Sequence, residues 1–139
     1  MKRALDSSII VAALDGSDPD HAVCRSLLLS AKFAAFSHAL SEAFSTLTGG
    51  RLGIRISPAD AASILRESVA PRLSLIALSE AELLDAYDDS SQRGVRGGAI
   101  YDYLHLVAAR KAGAAQIFTL NAVDFRAIQR SGDPEIVHP

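Results

Sequence analysis

The sequence predicts a three-layer α/β fold, with a central, mostly parallel sheet covered by helices on both faces. Three observations predict it. Short apolar runs that read as strands alternate with longer stretches of helical apolar spacing, the pattern of parallel sheets with crossover helices. The chain has 139 residues, of which 49% are hydrophobic and 22% charged, so one domain spanning 1–139 can bury its own core. No internal repeat, low-complexity tract or linker divides it. Tryptophan is absent while Ala and Leu abound, which implies an aliphatic and largely helical core.

The elements follow in order. Arg3-Ala4-Leu5 reads as a short buried strand ending at Asp6, with an apolar run from Ile9 to Leu14 behind it. Asp15-Gly16-Ser17-Asp18-Pro19 is a turn cluster. Asp20 to Ala31 has helical spacing, and Phe33–Phe36 is a second strand. Ser37 is placed to cap a helix reaching Thr48, stopped by Gly49-Gly50. Ser57-Pro58 opens another helix, expected to run to Val69. Leu73–Leu78 is the next strand, and Ser79 with Glu82 forms a capping box for an acidic helix. Gln92 to Gly98 reads as a mobile glycine-rich loop. A long apolar helix spans Ile100–Ala112, stopped by Gly113. Gln116–Leu120 is a strand, Ala122–Gln129 a short helix, and Glu135–Val137 an edge strand.

Composition excludes several classes of function. The single cysteine, Cys24, rules out an internal disulfide framework and a cysteine zinc site, and reads as a small buried apolar residue. No apolar run approaches the ~20 residues that span a bilayer. Asp6 interrupts the apolar stretch behind the basic start Met1-Lys2-Arg3, so that start fails as a signal peptide. A cytoplasmic protein is expected. The net charge of −2 argues weakly against nucleic-acid binding. Carboxylates that bind a metal would lower that count while the cation raised the local potential, so charge decides little.

The informative feature is where carboxylates stand alone. Asp6 is the only formal charge between Arg3 and Asp15, and Glu42 the only one between Lys32 and Arg51. Asp102 is alone between Arg96 and Arg110, and Asp124 between Lys111 and Arg126. A carboxylate in an apolar segment is costly to bury unless paired, hydrogen-bonded or bound to metal. Each has an ordinary alternative. Asp6 could cap a helix, Asp102 could answer a helix dipole, and Glu42 could face water. Together, three acids from separated elements are what a hard, oxygen-seeking cation needs, and in parallel sheets ligands bind beyond the carboxyl ends of the strands. Asp6 and the segment Asn121–Asp124 both lie just past strand ends.

Histidines compete for the role. His38 precedes Glu42 by four residues and His105 follows Asp102 by three, so each shares a helix face with its acid. Either could be a ligand or a general base, but no His-Glu-x-x-His pattern exists, and isolated histidines usually serve nearby polar groups. His21 and His138 carry no signal.

These residues carry a resemblance. Leu5-Asp6-Ser7-Ser8, Ser41-Glu42-Ala43, Tyr101-Asp102-Tyr103-Leu104 and Thr119-Leu120-Asn121-Ala122-Val123-Asp124-Phe125 resemble, in order and spacing, the successive motifs of PIN-domain ribonucleases. His38–Ser45 and Gly97–Ala114 are most similar to the VapC-like toxins of toxin–antitoxin pairs. The resemblance spans essentially the whole chain. It implies a PIN-like fold, and a Mg²⁺ or Mn²⁺ site built from Asp6, Glu42 and Asp102. Ser7 or Ser8 would fill the hydroxyl position beside the first Asp, and Thr119 would support the ligands. The fourth acidic position falls at Asn121 or Asp124; Asn at 121 departs from the pattern and puts a tightly held second metal in doubt. The resemblance further implies a homodimer and a VapB-like antitoxin whose C-terminal segment covers the acidic pocket.

The expected chemistry is metal-assisted hydrolysis of RNA phosphodiesters without a covalent enzyme intermediate. Arg93 and Arg96 are the candidate contacts to the RNA backbone, with Arg51 and Arg55 behind them. Two rivals remain. A noncatalytic module could bind RNA or antitoxin. A phosphomonoesterase could use Asp6 as nucleophile, although such enzymes usually carry a second Asp two residues on, where this chain has Ser8.

Overall fold

A computed structural model describes residues 1–50 and 53–139. Strands β1 (Arg3–Leu5), β2 (Phe33–Phe36), β3 (Leu73–Ile76), β4 (Gln116–Phe118) and β5 (Glu135–Val137) form one sheet in the order β3-β2-β1-β4-β5. Every pairing is parallel. The α-helices among the described residues are α1 (Ser7–Leu14), α2 (His21–Ser30), α3 (His38–Gly49), α4 (Pro58–Ile64), α5 (Glu80–Arg93), α6 (Ala99–Lys111) and α7 (Ala122–Ile128).

Period-two alternation along the strands divides the core in two. Leu5, Phe33, Ala35, Leu73 and Phe118 pack with residues of α1 to α4. Their neighbours Ala4, Ala34, Phe36, Ile117 and Ile136 pack on the opposite face with α5, α6 and α7. The three expected layers follow. Strand order reverses at β1, because β2 and β3 extend to one side and β4 and β5 to the other. The carboxyl ends of β1 and β4 therefore flank a crevice, the usual ligand position in such sheets.

Several elements end earlier than the sequence suggests, for identifiable reasons. Regular α-helix from Ser57 stops at Ile64; a wider π turn (Leu65–Val69) and a 3₁₀ turn (Ala70–Arg72) replace its expected end. Pro71 lacks the N–H that a continuing helix requires. β3 stops at Ile76 rather than Leu78, since its ladder with β2 closes at Phe36 and Ser37 N–H takes the Ile76 carbonyl. β4 stops at Phe118 rather than Leu120, because the Leu120 and Asn121 amides donate to the Ser8 and Thr119 hydroxyls.

The expected mobile loop at Gln92–Gly98 is a structured link. Gln92 and Arg93 finish α5, Gly94 caps it in the left-handed conformation (φ 70°), and Val95 is buried with its N–H on the Ser90 carbonyl. The caps at Ser57 and Ser79 form as expected. Ser37 sits before α3 but makes no side-chain cap bond. Cys24 is buried and free, and burial, then Asp20, Asp18 and Asp6, push its thiol up to about 11. No described helix is long and apolar enough to cross a membrane.

Candidate active site at the carboxyl edge of the sheet

Asp6 directly follows β1 and caps α1, the ordinary role the sequence allowed it. It is only 2% exposed. Its Oδ1 accepts from Ser8 N–H (3.0 Å) and from the Ser8 hydroxyl (2.5 Å). Oδ2 accepts from the Thr119 hydroxyl (2.7 Å), which itself accepts from Asn121 N–H. Ser8 Oγ in turn accepts from Leu120 N–H (3.0 Å). Two hydroxyls thus tie the ends of β1 and β4 together around one carboxylate. Of the two serines, Ser8 is the one bonded to Asp6; Ser7 lies by Glu42 and helps to lower its pKa.

Glu42 comes from the middle of α3, half-buried, and its Oε1 lies 2.6 Å from Nε2 of His105 on α6. Asp102 stands one turn before His105 on α6, near enough to Asp6 and Glu42 to feel their charges. Asp124, exposed in the first turn of α7, shares a cavity with Asp102 and the Gly94 to Ala99 link. Asn121 stands at the start of α7 without a side-chain cap bond, exposed, in a neighbouring cavity with Asp124.

The electrostatics show mutual repulsion among the acids. Burial raises Asp6, and His105, Ser8, Thr119 and the Ile9 amide only partly offset it. Asp102 is pushed up to about 6 by burial and by the charges of Asp6, Asp124 and Glu42, with His105 opposing. Glu42 stays below its ordinary value: burial pushes it up, but the His105 hydrogen bond, the His105 and His38 charges and Ser7 outweigh that. His105 is 3% exposed. Burial pushes its pKa down, while the Glu42 bond and the charges of Asp6, Glu42 and Asp102 hold it above the usual value. Its Nδ1 has no partner among the described residues.

Of the roles the sequence leaves open for His105, ligand, base or partner of a nearby polar group, the structure shows the last: it pairs with Glu42 on α3, which its i, i+3 spacing from Asp102 does not announce.

The donor chemistry fits a hard divalent cation. Carboxylate oxygens dominate, and their mutual repulsion is the kind a cation relieves. Among the described residues, however, no group of three or more His, Cys, Asp or Glu side chains is placed to hold a metal ion. Asp6 has both oxygens engaged and Glu42 has one on His105. Mg²⁺ tolerates this, since it usually keeps several waters and takes only one or two carboxylates. Asp6 is poorly placed as a nucleophile: it is buried and both its oxygens accept hydrogen bonds.

The expected basic contacts separate. Arg93 is turned into the fold: its Nη1 lies 2.5 Å from Asp133, whose side chain is 1% exposed, and its guanidinium covers the Tyr103 ring at 5.0 Å. That pairing argues against its expected place on the RNA backbone, because its charge is already matched by Asp133. Arg96 is exposed in the link before α6, and Arg55 is exposed beyond α3. Arg51 lies outside the described residues.

The fold and this edge define the class of protein: the chain belongs to the PIN-domain family, whose match covers residues 3–130. Within it the similarity is to VapC proteins. Ribonuclease VapC27 of Mycobacterium tuberculosis (strain ATCC 25618 / H37Rv) is 32% identical over 106 residues, which are 76% of this chain and 75% of that relative. The fold matches that of VapC20 of Mycobacterium tuberculosis, described as a Sarcin-Ricin loop cleaving toxin. Its TM-score is 0.71 at 18% identity, over 96% of this chain and 100% of the other. VapBC2 from Rickettsia felis, solved bound to a promoter DNA fragment, matches with TM-score 0.68 at 20% identity, over 100% and 99% of the two chains.

Proposed function

We propose that this chain is a metal-dependent endoribonuclease, the toxin of a toxin–antitoxin pair, hydrolysing RNA phosphodiester bonds at the Asp6/Glu42/Asp102 edge. The observation that carries the reading is that Asp6, Glu42 and Asp102 come to one edge of the sheet from separated elements, where burial and then the charges of Asp6, Asp124 and Glu42 raise Asp102. The ribonuclease name of the VapC27 relative supports it. Asp6, Glu42 and Asp102 would hold Mg²⁺ or Mn²⁺, with Asp124 rather than Asn121 at the fourth position, because Asp124 shares the Asp102 cavity. When bound, such a cation polarises the phosphodiester and activates water near neutral pH.

The chain's own residues prepare that step. Ser8 and Thr119 fix the Asp6 carboxylate, and His105 fixes Glu42. Arg96 steers the backbone of the RNA. A VapB-like antitoxin and a homodimer complete the reading, and the exposed Val23, Leu29, Leu84 and Tyr87 offer apolar surface for such partners. Acting on RNA, the protein would work in the cytoplasm.

One observation favours a second reading. The acids do not close into a cage among the described residues, as in a module that binds RNA or antitoxin without cleaving. Purified protein, incubated with a total-RNA pool in Mg²⁺, Mn²⁺ or EDTA beside Asp6→Asn, separates the two. Discrete metal-dependent products, lost in the variant, establish the nuclease. No cleavage by folded, antitoxin-free protein favours the binding module.

A further inference from the structure

One face of α3 carries His38, Ser41, Glu42 and Ser45, at the i, i+3, i+4, i+7 spacing of a single helical stripe. The opposite face, Ala39, Ala43 and Leu47, is buried in the core. The polar stripe borders a cavity of about 420 Å³, which Ser7, Thr46 and Tyr101 complete. Its lining holds no Lys or Arg, so it is not built for phosphate. Instead it is aromatic and hydroxylic. His38 stacks on buried Phe36 at 5.8 Å and 29°, and Tyr101 follows at 5.9 Å and 44° from His38. Three rings thus step outward from the core to a tyrosine that is 51% exposed.

We propose that this cavity is a nucleobase subsite, which takes one unpaired base of the RNA next to the scissile phosphate; the inference rests on the endoribonuclease reading above. Glu42 belongs both to the cavity and to the acid cluster, so a nucleotide whose base enters the cavity carries its phosphate to the acids. Tyr101 reaches the reacting edge through the cavity it shares with Glu42. An exposed aromatic ring stacks on any base face. The Ser41 and Ser45 hydroxyls have no partner among the described residues, and Thr46 donates to the Glu42 carbonyl while its lone pairs stay free. Hydroxyls donate and accept, so the subsite tolerates more than one base. It selects for a base that is unstacked, which favours loops and single strands over duplex RNA.

The test uses an unstructured oligoribonucleotide spanning a site cleaved in the RNA pool, and the same oligonucleotide made abasic beside the scissile bond. Tyr101 is exposed, so Tyr101→Ala and Tyr101→Phe both leave the fold intact. Tyr101→Ala is expected to lower kcat/KM on the intact oligonucleotide by about tenfold, chiefly through KM, with Tyr101→Phe close to wild type. The abasic substrate is expected to cost wild type a similar factor and Tyr101→Ala nothing more. Equal loss from the abasic change in both proteins, or no loss in Tyr101→Ala, overturns the subsite while leaving the nuclease standing. Should wild type cleave nothing, the nuclease reading fails by itself. Fluorescence anisotropy of the labelled oligonucleotide then decides the subsite: unchanged affinity in Tyr101→Ala overturns it, and so does a loss confined to binding of a protein partner.

Discussion

Nε2 of His105 lies 2.6 Å from Oε1 of Glu42, joining α6 to α3 beside the carboxyl end of β1. Glu42 is thereby turned by a buried residue that is itself surrounded by Asp6 and Asp102. Groups that orient metal ligands typically change metal affinity by about 10–100-fold when removed. His105→Phe, close in shape and without a donor, is therefore expected to weaken Mn²⁺ binding by about tenfold or more. His105→Gln, which keeps an N–H donor, should recover part of the loss. Mn²⁺ titration followed by electron paramagnetic resonance checks this alongside the thermal midpoint. Unchanged Mn²⁺ affinity in His105→Phe would show that the pair serves the fold alone.

Stability of the metal-free protein should fall as pH rises from about 4 to 6 through Asp102, and again above 6.5 through His105. Asp102 has a folded pKa of about 6 against an ordinary 3.8, so between those values the folded chain binds a proton that the unfolded chain has released. Asp6 and His105, both raised, act in the same direction, His105 at the upper end of the window. Glu42, lowered, loses its contribution only below its ordinary 4.5. A divalent cation replaces those protons, so Mg²⁺ should flatten the decline. Urea unfolding at pH 5, 6.5 and 8, with and without Mg²⁺, measures it; stability rising with pH in EDTA would refute the acid crowding.

Thr119→Val should destabilise by about 1–3 kcal/mol, because Oδ2 of Asp6 and the Asn121 amide each lose a partner in a nearly water-free place. Thr119→Ser keeps the hydroxyl and should stay near wild type. Urea midpoints at constant m-value decide it. Equal midpoints for the two variants would mean that the hydroxyl does not hold Asp6.

The two arginines of the Gln92–Gly98 segment should part company. Arg93→Ala leaves Asp133 to Arg110, whose Nη1 is 3.3 Å from the other oxygen, and should cost about 2 kcal/mol, less than a fully buried pair because Arg110 remains. Arg96→Ala should leave stability within about 0.5 kcal/mol and reduce the salt slope of RNA binding by about 1. Denaturation and filter binding across salt concentrations separate them. RNA affinity lost in folded Arg93→Ala would restore its place on the backbone.

Much of this was legible because apolar patterning is a local signal. Phe33–Phe36 and Arg3–Leu5 announce buried strands, and Ser79 with Glu82 announces a helix start. Lone acids in apolar segments marked Asp6, Glu42 and Asp102 before any contact was known. What the residues did not disclose lies in long-range partners. Nothing near Arg93 in sequence reveals Asp133, forty residues away, so a buried strut read as a loop cation. The choice of Ser8 over Ser7 depends on the amide of Leu120, which β1 meets only in the folded sheet. The early ends of β3 and β4 have the same cause, since a strand's length is set by its partner.

The central claim is that one cation, held by Asp6, Glu42 and Asp102, drives RNA hydrolysis. Its most direct test is a single Mn²⁺ titration in which occupancy and RNA cleavage are read on the same samples, for wild type and Glu42→Gln. Cleavage should rise with the same midpoint as occupancy, and both should shift together to higher Mn²⁺ in the variant. Cleavage that persists in EDTA, or occupancy that the variant leaves unmoved while cleavage is lost, would contradict the account.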